Sequence, residues 1–128
     1  MVNKGKMKFR EKTLDSGAYL ILGKDEESNE ELMKKFQRKA NVILHTAKPG
    51  SPFCVIERPL NPTSEDIHKS GAITARYSQD WRDNKSDVRV NVFTGKDAYK
   101  LKEMPTGTFG IKKSKTIIVK KQEILKLL

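Results

Sequence analysis

Residues 42–56 read VILHTAKPGSPFCVI, two apolar stretches that flank a polar connection. Residues 42–45 and 53–56 are almost continuously apolar, which is typical of strands buried on both faces of a sheet. The intervening Lys48-Pro49-Gly50-Ser51 segment has the composition of a turn. We therefore predict two neighbouring strands joined by a loop, with His45 closing the first strand.

The residues before this stretch predict a β-hairpin followed by a helix. Residues 7–14 alternate apolar and charged side chains, and a turn at residues 15–17 leads into the apolar residues 18–22. From Asp25 the pattern changes to a helix that ends near Ala40. Ser28 and Glu31 have the spacing of a capping box, and the five acidic residues between Asp25 and Glu31 suit the positive end of a helix dipole.

The residues after it predict a second helix and a return to strands. Thr63 or Ser64 can cap a helix that runs to about Gln79 and whose inner face is rich in small residues, which allow close packing on a sheet. The later elements are a polar loop at 81–87, strands at 88–92, 108–111 and 116–119, and a helical tail at 121–128. We predict one α+β domain over residues 1–128, with a mixed or antiparallel sheet, two main helices and a short C-terminal helix.

Length and composition exclude several classes of protein. The 128 residues suffice for one ordinary domain. One cysteine and two histidines cannot supply a disulfide scaffold or a four-ligand zinc site. No apolar run approaches the length of a membrane span, and the N-terminus does not resemble a signal peptide. We expect a soluble, unprocessed, cytoplasmic protein with no metal and no cofactor.

The charge indicates a polyanionic partner. The formal net charge is +10 at pH 7, and it lies at the two ends of the chain, because residues 25–97 sum to zero. A fold that brings both ends to one sheet edge would merge them into a single basic patch. The alternative is that these lysines only protect sheet edges. The candidate phosphate contacts in these two ends are Lys4, Lys6, Lys8, Lys112, Lys113 and Lys115.

Candidate reactive residues are few. Cys54 lies in an apolar strand without a nearby cation and is interpreted as a core residue. His45 is either a structural histidine or a ligand-binding one, and the sequence does not decide between them. Gly23-Lys24 lacks the rest of a nucleotide-binding loop, and the acidic run at 25–31 is explained by its helix start rather than by a metal. The aromatic residues in polar surroundings that could stack on an unpaired base are Tyr77, Trp81 and Tyr99.

Five motifs occur in a characteristic order. They are Gly23-Lys24-Asp25, Asn29-Glu30, a strand ending in His45, Pro49-Gly50-Ser51, and a helix ending in Tyr77-Ser78. In this order the sequence resembles, from about residue 15 to 119, the NFACT-R domain. That domain is the RNA-binding domain of the NFACT proteins of ribosome-associated quality control, and it also occurs in a stand-alone form, which this sequence resembles.

The resemblance implies roles for particular residues. Lys24, Asn29, His45, Gly50, Ser51, Tyr77 and Ser78 occupy signature positions of the family, and Gly107 that of a glycine before the last strand pair. The sequence departs from the family at Pro52, where a second histidine is common, and at Tyr99-Lys100, which takes the place of a basic pair. Lys100 keeps one positive charge of that pair and is a candidate RNA contact. The fused N-terminal NFACT domain and its coiled coil are not recognisable here, so we do not assign the tail-elongating activity of the large quality-control factors.

We predict a non-enzymatic module that binds tRNA or rRNA, mainly through phosphates, alone or beside a separately encoded NFACT protein. Lysine outnumbers arginine 20 to 6, which favours recognition of charge and shape over base sequence. Lys24, His45, Lys48, Arg76 and Tyr77 are candidates for specific contacts. The alternatives are a component of RNA modification that uses a pocket at His45 and Ser51, and general binding of double-stranded DNA.

Overall fold

A central antiparallel sheet organises the molecule, for which a computed structural model describes residues 8–128. In chain order the elements are β1 (Arg10–Thr13), β2 (Tyr19–Leu22), α1 (Glu26–Phe36), β3 (Val42–Thr46), β4 (Cys54–Arg58), α2 (Ser64–Arg76), α3 (Gln79–Asn84), β5 (Val88–Thr94), a 3₁₀ turn (Gly95–Asp97), β6 (Ala98–Tyr99), β7 (Gly110–Ile111), β8 (Lys115–Val119) and α4 (Lys121–Leu125). The predicted α+β class, the hairpin, the two strands of 42–56 and the short C-terminal helix are confirmed.

The strands form a six-stranded sheet in the order β1-β2-β4-β3-β5-β8, and β6 pairs with β7 in a separate ribbon. All pairings in both sheets are antiparallel. β1 and β8 therefore lie at opposite edges of the large sheet. The strands therefore do not bring both basic ends of the chain to one sheet edge, which a single basic patch would require. Only α4 returns toward the hairpin, so that Lys126 lies near Lys12 at one shallow cavity.

Alternation along the strands gives the sheet two apolar faces. On one face Leu44, Ile56 and Val90 pack under α2, α3 and α4. On the other face Ile43, Val55 and Phe93 pack against α1 and the β6–β7 ribbon. Each side of the sheet therefore has its own core, which explains why residues 42–45 and 53–56 are apolar without alternation.

The small residues of α2 let it lie close to the sheet. A Cβ atom on Gly71 would come within 2.9 Å of Ile117 Cδ1 and 3.3 Å of Val119 Cγ2. The predicted small-residue face of this helix is thus its contact with β8. None of the helices described between residues 8 and 128 has the length and apolar character that a membrane span needs.

The first helix begins where predicted, but it is capped by a different pair of residues and ends earlier. Asp25 is the N-cap, and its capping box is with Ser28, not between Ser28 and Glu31. The helix stops at Phe36 instead of near Ala40, because Gln37 leaves the helical conformation and Arg38 adopts φ 73°.

The second helix is also shorter than predicted, and a third helix replaces the predicted loop at 81–87. α2 ends at Arg76, and Ser78 then caps α3 by accepting a hydrogen bond from Trp81 N at 3.1 Å. Trp81 is 2% exposed in the core under α3. It is therefore a packing residue and cannot stack on a base, contrary to the prediction.

Candidate nucleic-acid interface

Distant parts of the chain meet at one end of the large sheet. Antiparallel pairing sets Arg10 opposite Leu22 and Leu22 opposite Cys54, so the start of β1, the end of β2 and the start of β4 lie side by side. The 47–53 loop and the junction of α2 with α3 reach the same end, where Lys24, Ser51 and Tyr77 line one cleft. The predicted signature residues are thereby brought close together.

Three of the six arginines converge on Tyr77. The guanidinium carbon of Arg10 lies 4.0 Å from the ring centroid, and that of Arg76 lies at 4.8 Å. Arg76 donates a hydrogen bond to the Tyr77 hydroxyl at 2.8 Å, and Arg82 donates to the Tyr77 carbonyl at 3.3 Å. Arg10, Lys24 and Tyr77 line two adjoining clefts, one completed by Arg76 and the other by Arg82. We call these five residues the arginine groove.

The four cations of the arginine groove, Arg10, Lys24, Arg76 and Arg82, form no ion pair within residues 8–128. The carboxylates of Glu11, Asp25 and Glu26 also line the clefts. Glu11 accepts a hydrogen bond from the Tyr19 hydroxyl, and Asp25 caps α1. The side chain of Glu26 is exposed and makes no hydrogen bond to another of residues 8–128. The groove therefore places four cations beside three carboxylates, so its formal charge is positive although the carboxylates offset much of it.

The cap of α1 fixes the backbone that carries Lys24. The Ser28 hydroxyl oxygen accepts hydrogen bonds from Lys24 N at 2.7 Å and Asp25 N at 3.0 Å. In return, Ser28 N donates to Asp25 Oδ1 at 2.8 Å, which holds the pKa of Asp25 below its ordinary value. The side chain of Lys24 stays exposed while its main chain is held on both sides.

The signature residues of the 49–53 loop shape that loop. Gly50 has φ +92°, and its carbonyl accepts a hydrogen bond from Gln79 N at 2.7 Å, which ties the loop to the start of α3. The Ser51 hydroxyl accepts from Thr46 N at 3.1 Å and donates to Pro52 O at 2.9 Å. Asn29 Oδ1 accepts from Phe53 N at 3.0 Å. Asn29 and Ser51 therefore position the loop rather than present free polar groups.

His45 lines a second depression on the far side of this loop. This cavity, of about 360 Å³, lies between the 49–53 loop and the loop at residues 106–109, and we call it the His45 cavity. The His45 ring packs on Phe53 with ring centroids 4.4 Å apart, and Phe109 meets Phe53 edge-on at 6.0 Å. The rings of His45, Phe53 and Phe109 therefore form part of the lining of this cavity.

The protonation state of His45 follows from its surroundings. Burial lowers the pKa of His45, against the hydrogen bond to Thr46, which raises it. Nδ1 lies 2.8 Å from Thr46 O, so Nδ1 carries the proton and donates it to this carbonyl. The ring is neutral at pH 7. Ser51 donates to Pro52 O instead of to this ring, so the two residues do not form a nucleophile–base pair.

Two other predicted RNA contacts are engaged within the protein. Lys100 Nζ donates to Glu30 Oε1 at 2.9 Å, Pro105 O at 2.8 Å and Thr108 O at 2.8 Å. Ser78 is fully buried as the cap of α3. An RNA contact by either residue stays a prediction, but their geometry gives both a structural role.

The predicted cations that remain among residues 8–128 do not line the two clefts of the arginine groove. Lys48 is 3.7 Å from the buried Asp80 and is partly compensated. Lys112, Lys113 and Lys115 are exposed at and near the edge strand β8. Lys8 is also exposed, while Lys4 and Lys6 lie outside the described residues.

Sequence reasoning missed two residues of this region, and it named Glu30 within a motif without giving it a role. Arg10 and Arg82 complete the arginine groove, and Glu30 accepts hydrogen bonds from Gly107 N at 2.7 Å and from Lys100. Burial acts to raise the pKa of Glu30, but these two donors outweigh it and hold the pKa below its ordinary value. Arg10 and Arg82 can be recognised as part of the site only by their position beside Tyr77. This position follows from the order of the strands in the sheet, which the sequence does not show.

The fold and the arginine groove define a small α+β domain with a cleft lined by cations at one end of its sheet. A family model described as the NFACT protein RNA binding domain matches residues 7–113. The chain belongs to this family, as its motifs indicated, and is an RNA-binding domain of the NFACT type. No curated protein sequence matches it.

A solved structure supports the fold independently. The C-terminal part of the fibronectin/fibrinogen-binding protein from Streptococcus suis superposes with a TM-score of 0.81 at 21% sequence identity. The match covers 98% of this chain and 51% of that one, so the chain spans about half the length of the matched structure. At this identity the likeness concerns the fold alone.

Proposed function

We propose that this domain is a non-enzymatic module that binds structured RNA, tRNA or rRNA, in translation or ribosome-associated quality control. It would act in the cytoplasm, where these RNAs take part in translation, alone or beside a separately encoded NFACT protein. Membership of the NFACT RNA-binding family supports the RNA as partner.

The observation that carries the proposal is the arginine groove. Four cations converge there with no ion-pair partner in residues 8–128, and three of them are arginines, although lysine is far commoner in this chain. A guanidinium group can donate two parallel hydrogen bonds to one phosphate, which a lysine cannot do. The groove therefore suits an RNA backbone better than a diffuse lysine surface does.

The RNA-modification alternative finds less support. It needs His45 and Ser51 to act together, whereas each makes its hydrogen bond to a different backbone carbonyl. In the described part of the chain, no group of three or more His, Cys, Asp or Glu residues is placed to hold a metal ion. Burial also raises the pKa of the Cys54 thiol to about 12, so it is no nucleophile.

Binding to tRNA across a salt series tests the proposal. Contacts to five or six phosphates predict a slope of log K against log salt of about −4 to −5. A flat response would contradict the proposal. Competition between tRNA and duplex DNA of equal length separates RNA binding from general nucleic-acid binding, because the two helices present different grooves.

A further inference from the structure

The His45 cavity continues the arginine groove. Four residues line both the His45 cavity and the cleft that contains Arg10, Lys24 and Arg82, namely Glu26, Asn29, Gly50 and Ser51. The 49–53 loop is thus a shared wall with cations on one side and aromatic rings on the other. A single ligand that has an anionic part and a flat apolar part can occupy both.

The walls of the cavity suit a flat heteroaromatic group. His45 and Phe53 pack face against face at a tilt of 34°, and Phe109 stands edge-on to Phe53. His45 Nε2 makes no hydrogen bond to any of residues 8–128. Within that range every fully buried side-chain nitrogen or oxygen has a hydrogen-bond partner. Nε2 is therefore not fully buried and is accessible to solvent. Because Nδ1 carries the proton, Nε2 is a hydrogen-bond acceptor.

Both walls are fixed before any ligand binds. Glu30 holds the 106–109 loop through Gly107 N, and Lys100 ties Glu30 to the carbonyls of Pro105 and Thr108. The opposite wall is held by Gln79 N through the Gly50 carbonyl. A preformed cavity loses little conformational entropy when a ligand enters it.

We propose that the His45 cavity takes one unpaired nucleobase of the RNA whose phosphates lie in the arginine groove. This inference rests on the proposed function. The volume of about 360 Å³ falls within the range of about 300–1,000 Å³ typical of ligand pockets. A base inside a helix cannot enter such a cavity, whereas a base in a loop, a bulge or a strand end can turn out and stack on aromatic side chains.

The two histidines provide a direct test by NMR. Their ring C–H signals are observed during titration with a single-stranded RNA hexamer and with an abasic ribose-phosphate hexamer of the same charge. His68 is the internal control, because it pairs with Glu123 at 2.8 Å between α2 and α4 and does not line the cavity. We expect the RNA hexamer to shift the His45 signals and to leave those of His68 unchanged. The abasic hexamer should shift neither histidine while it still binds.

The outcomes separate this inference from the proposed function. If both hexamers bind with the same affinity and the same response at His45, the cavity takes no base, although phosphate binding stands. If neither hexamer binds while tRNA still binds, this inference fails and the proposed function stands; if tRNA does not bind either, both fail.

A substitution that fills the cavity gives a second test. Thr106 is exposed at the cavity wall, so Thr106→Trp adds a ring there without entering the core. We expect it to weaken binding of the RNA hexamer to the level of the abasic hexamer. Ser86→Trp adds the same bulk at an exposed position that does not line the cavity, and it should bind as the unaltered protein does. Equal affinities of the two variants for the RNA hexamer would overturn the inference.

Discussion

At the residue scale, two arginine–tyrosine stacks show what makes the groove distinctive. Arg10 lies 4.0 Å from the ring of Tyr77, and Arg58 lies 4.5 Å from the ring of Tyr19. Tyr19 pairs with Arg58 at the end of the sheet opposite to Arg10. Arg58 also donates to the carboxylate of Glu57 at 2.8 Å, whereas Arg10 forms no ion pair within the described chain. The stacks are alike, and only the first leaves its charge available.

This pair gives a matched test of the groove. Arg10→Gln should lower tRNA affinity about fivefold to tenfold near 0.1 M salt and make the salt slope smaller by about one, because one phosphate contact is lost. Arg58→Gln should leave both quantities unchanged. Each variant loses one cation–π contact, worth about 0.5–1 kcal/mol, so thermal melting should change similarly in both. Equal losses of affinity in the two variants would place the RNA elsewhere.

The lowered pKa of His45 predicts a pH dependence of stability. Burial holds the pKa of His45 below its unfolded value of about 6.5, so between these two values the unfolded chain binds more protons than the folded one. The contribution of His45 to the free energy of unfolding is complete above about pH 6.5, and it is lost as the pH falls toward the pKa of His45 in the folded state. His45→Phe keeps a ring against Phe53 and removes the titration.

Urea unfolding at pH 7 and pH 5 measures this effect. The free energy of unfolding should fall more for the unaltered protein than for His45→Phe over this interval, since every other titrating group is common to both. Parallel losses in the two proteins would show that His45 titrates alike in the folded and unfolded states.

At the element scale, one carboxylate connects α1 to the loop that walls the His45 cavity. Glu30 is 13% exposed and Lys100 is 21% exposed, so neither charge is well solvated without the other. Glu30→Gln should therefore cost about 2 kcal/mol of unfolding free energy and speed hydrogen exchange at Gly107 N. Glu31→Gln makes the same chemical change at an exposed neighbour that has no hydrogen-bond partner in residues 8–128, and its cost should be close to zero. A large cost at both positions would point to helix charge instead of this anchor.

Elements with a strong local pattern were predictable from the sequence. The apolar stretches of 42–56 became β3 and β4, and the turn at 15–17 became a hairpin. α3 was missed because its residues QDWRDN are polar apart from Trp81, and this helix is stabilised by the burial of that one side chain and by the Ser78 cap. Tertiary packing of this kind leaves no periodicity to read.

The candidate site was predictable only in part, for a related reason. Lys24, His45 and Tyr77 belong to short motifs, so the sequence indicates them directly. Arg10 and Arg82 are 72 positions apart and become neighbours through the strand order β1-β2-β4 and the turn from α2 into α3. A count of charges along the chain cannot show that distant arginines lie side by side in the fold. That count pointed to the lysines near β8 as candidate phosphate contacts.

At the scale of the whole molecule, two groups of cations within residues 8–128 are candidate RNA-binding surfaces, the arginine groove and the lysines near β8. The edge strands β1 and β8 are five strand spacings apart, which is roughly 24 Å at about 4.8 Å per spacing. The screening length is about 10 Å at 0.1 M salt, so Lys115 on β8 and Arg10 on β1 act independently there. At low salt the lysines add long-range attraction that speeds encounter.

Two triple variants with the same net charge separate these surfaces. In the arginine variant, glutamine replaces Arg10, Arg76 and Arg82 of the groove. In the lysine variant, glutamine replaces three lysines near β8, namely Lys112, Lys113 and Lys115. If net charge alone governed binding, both would lose equal affinity for tRNA. Because phosphates are held where the cations converge, the arginine variant should lose about a hundredfold near 0.1 M salt and its slope should shrink by about two to three. The lysine variant should lose affinity mainly at low salt through slower association, as stopped-flow measurements would show, and should match the unaltered protein once screening isolates β8 from the groove.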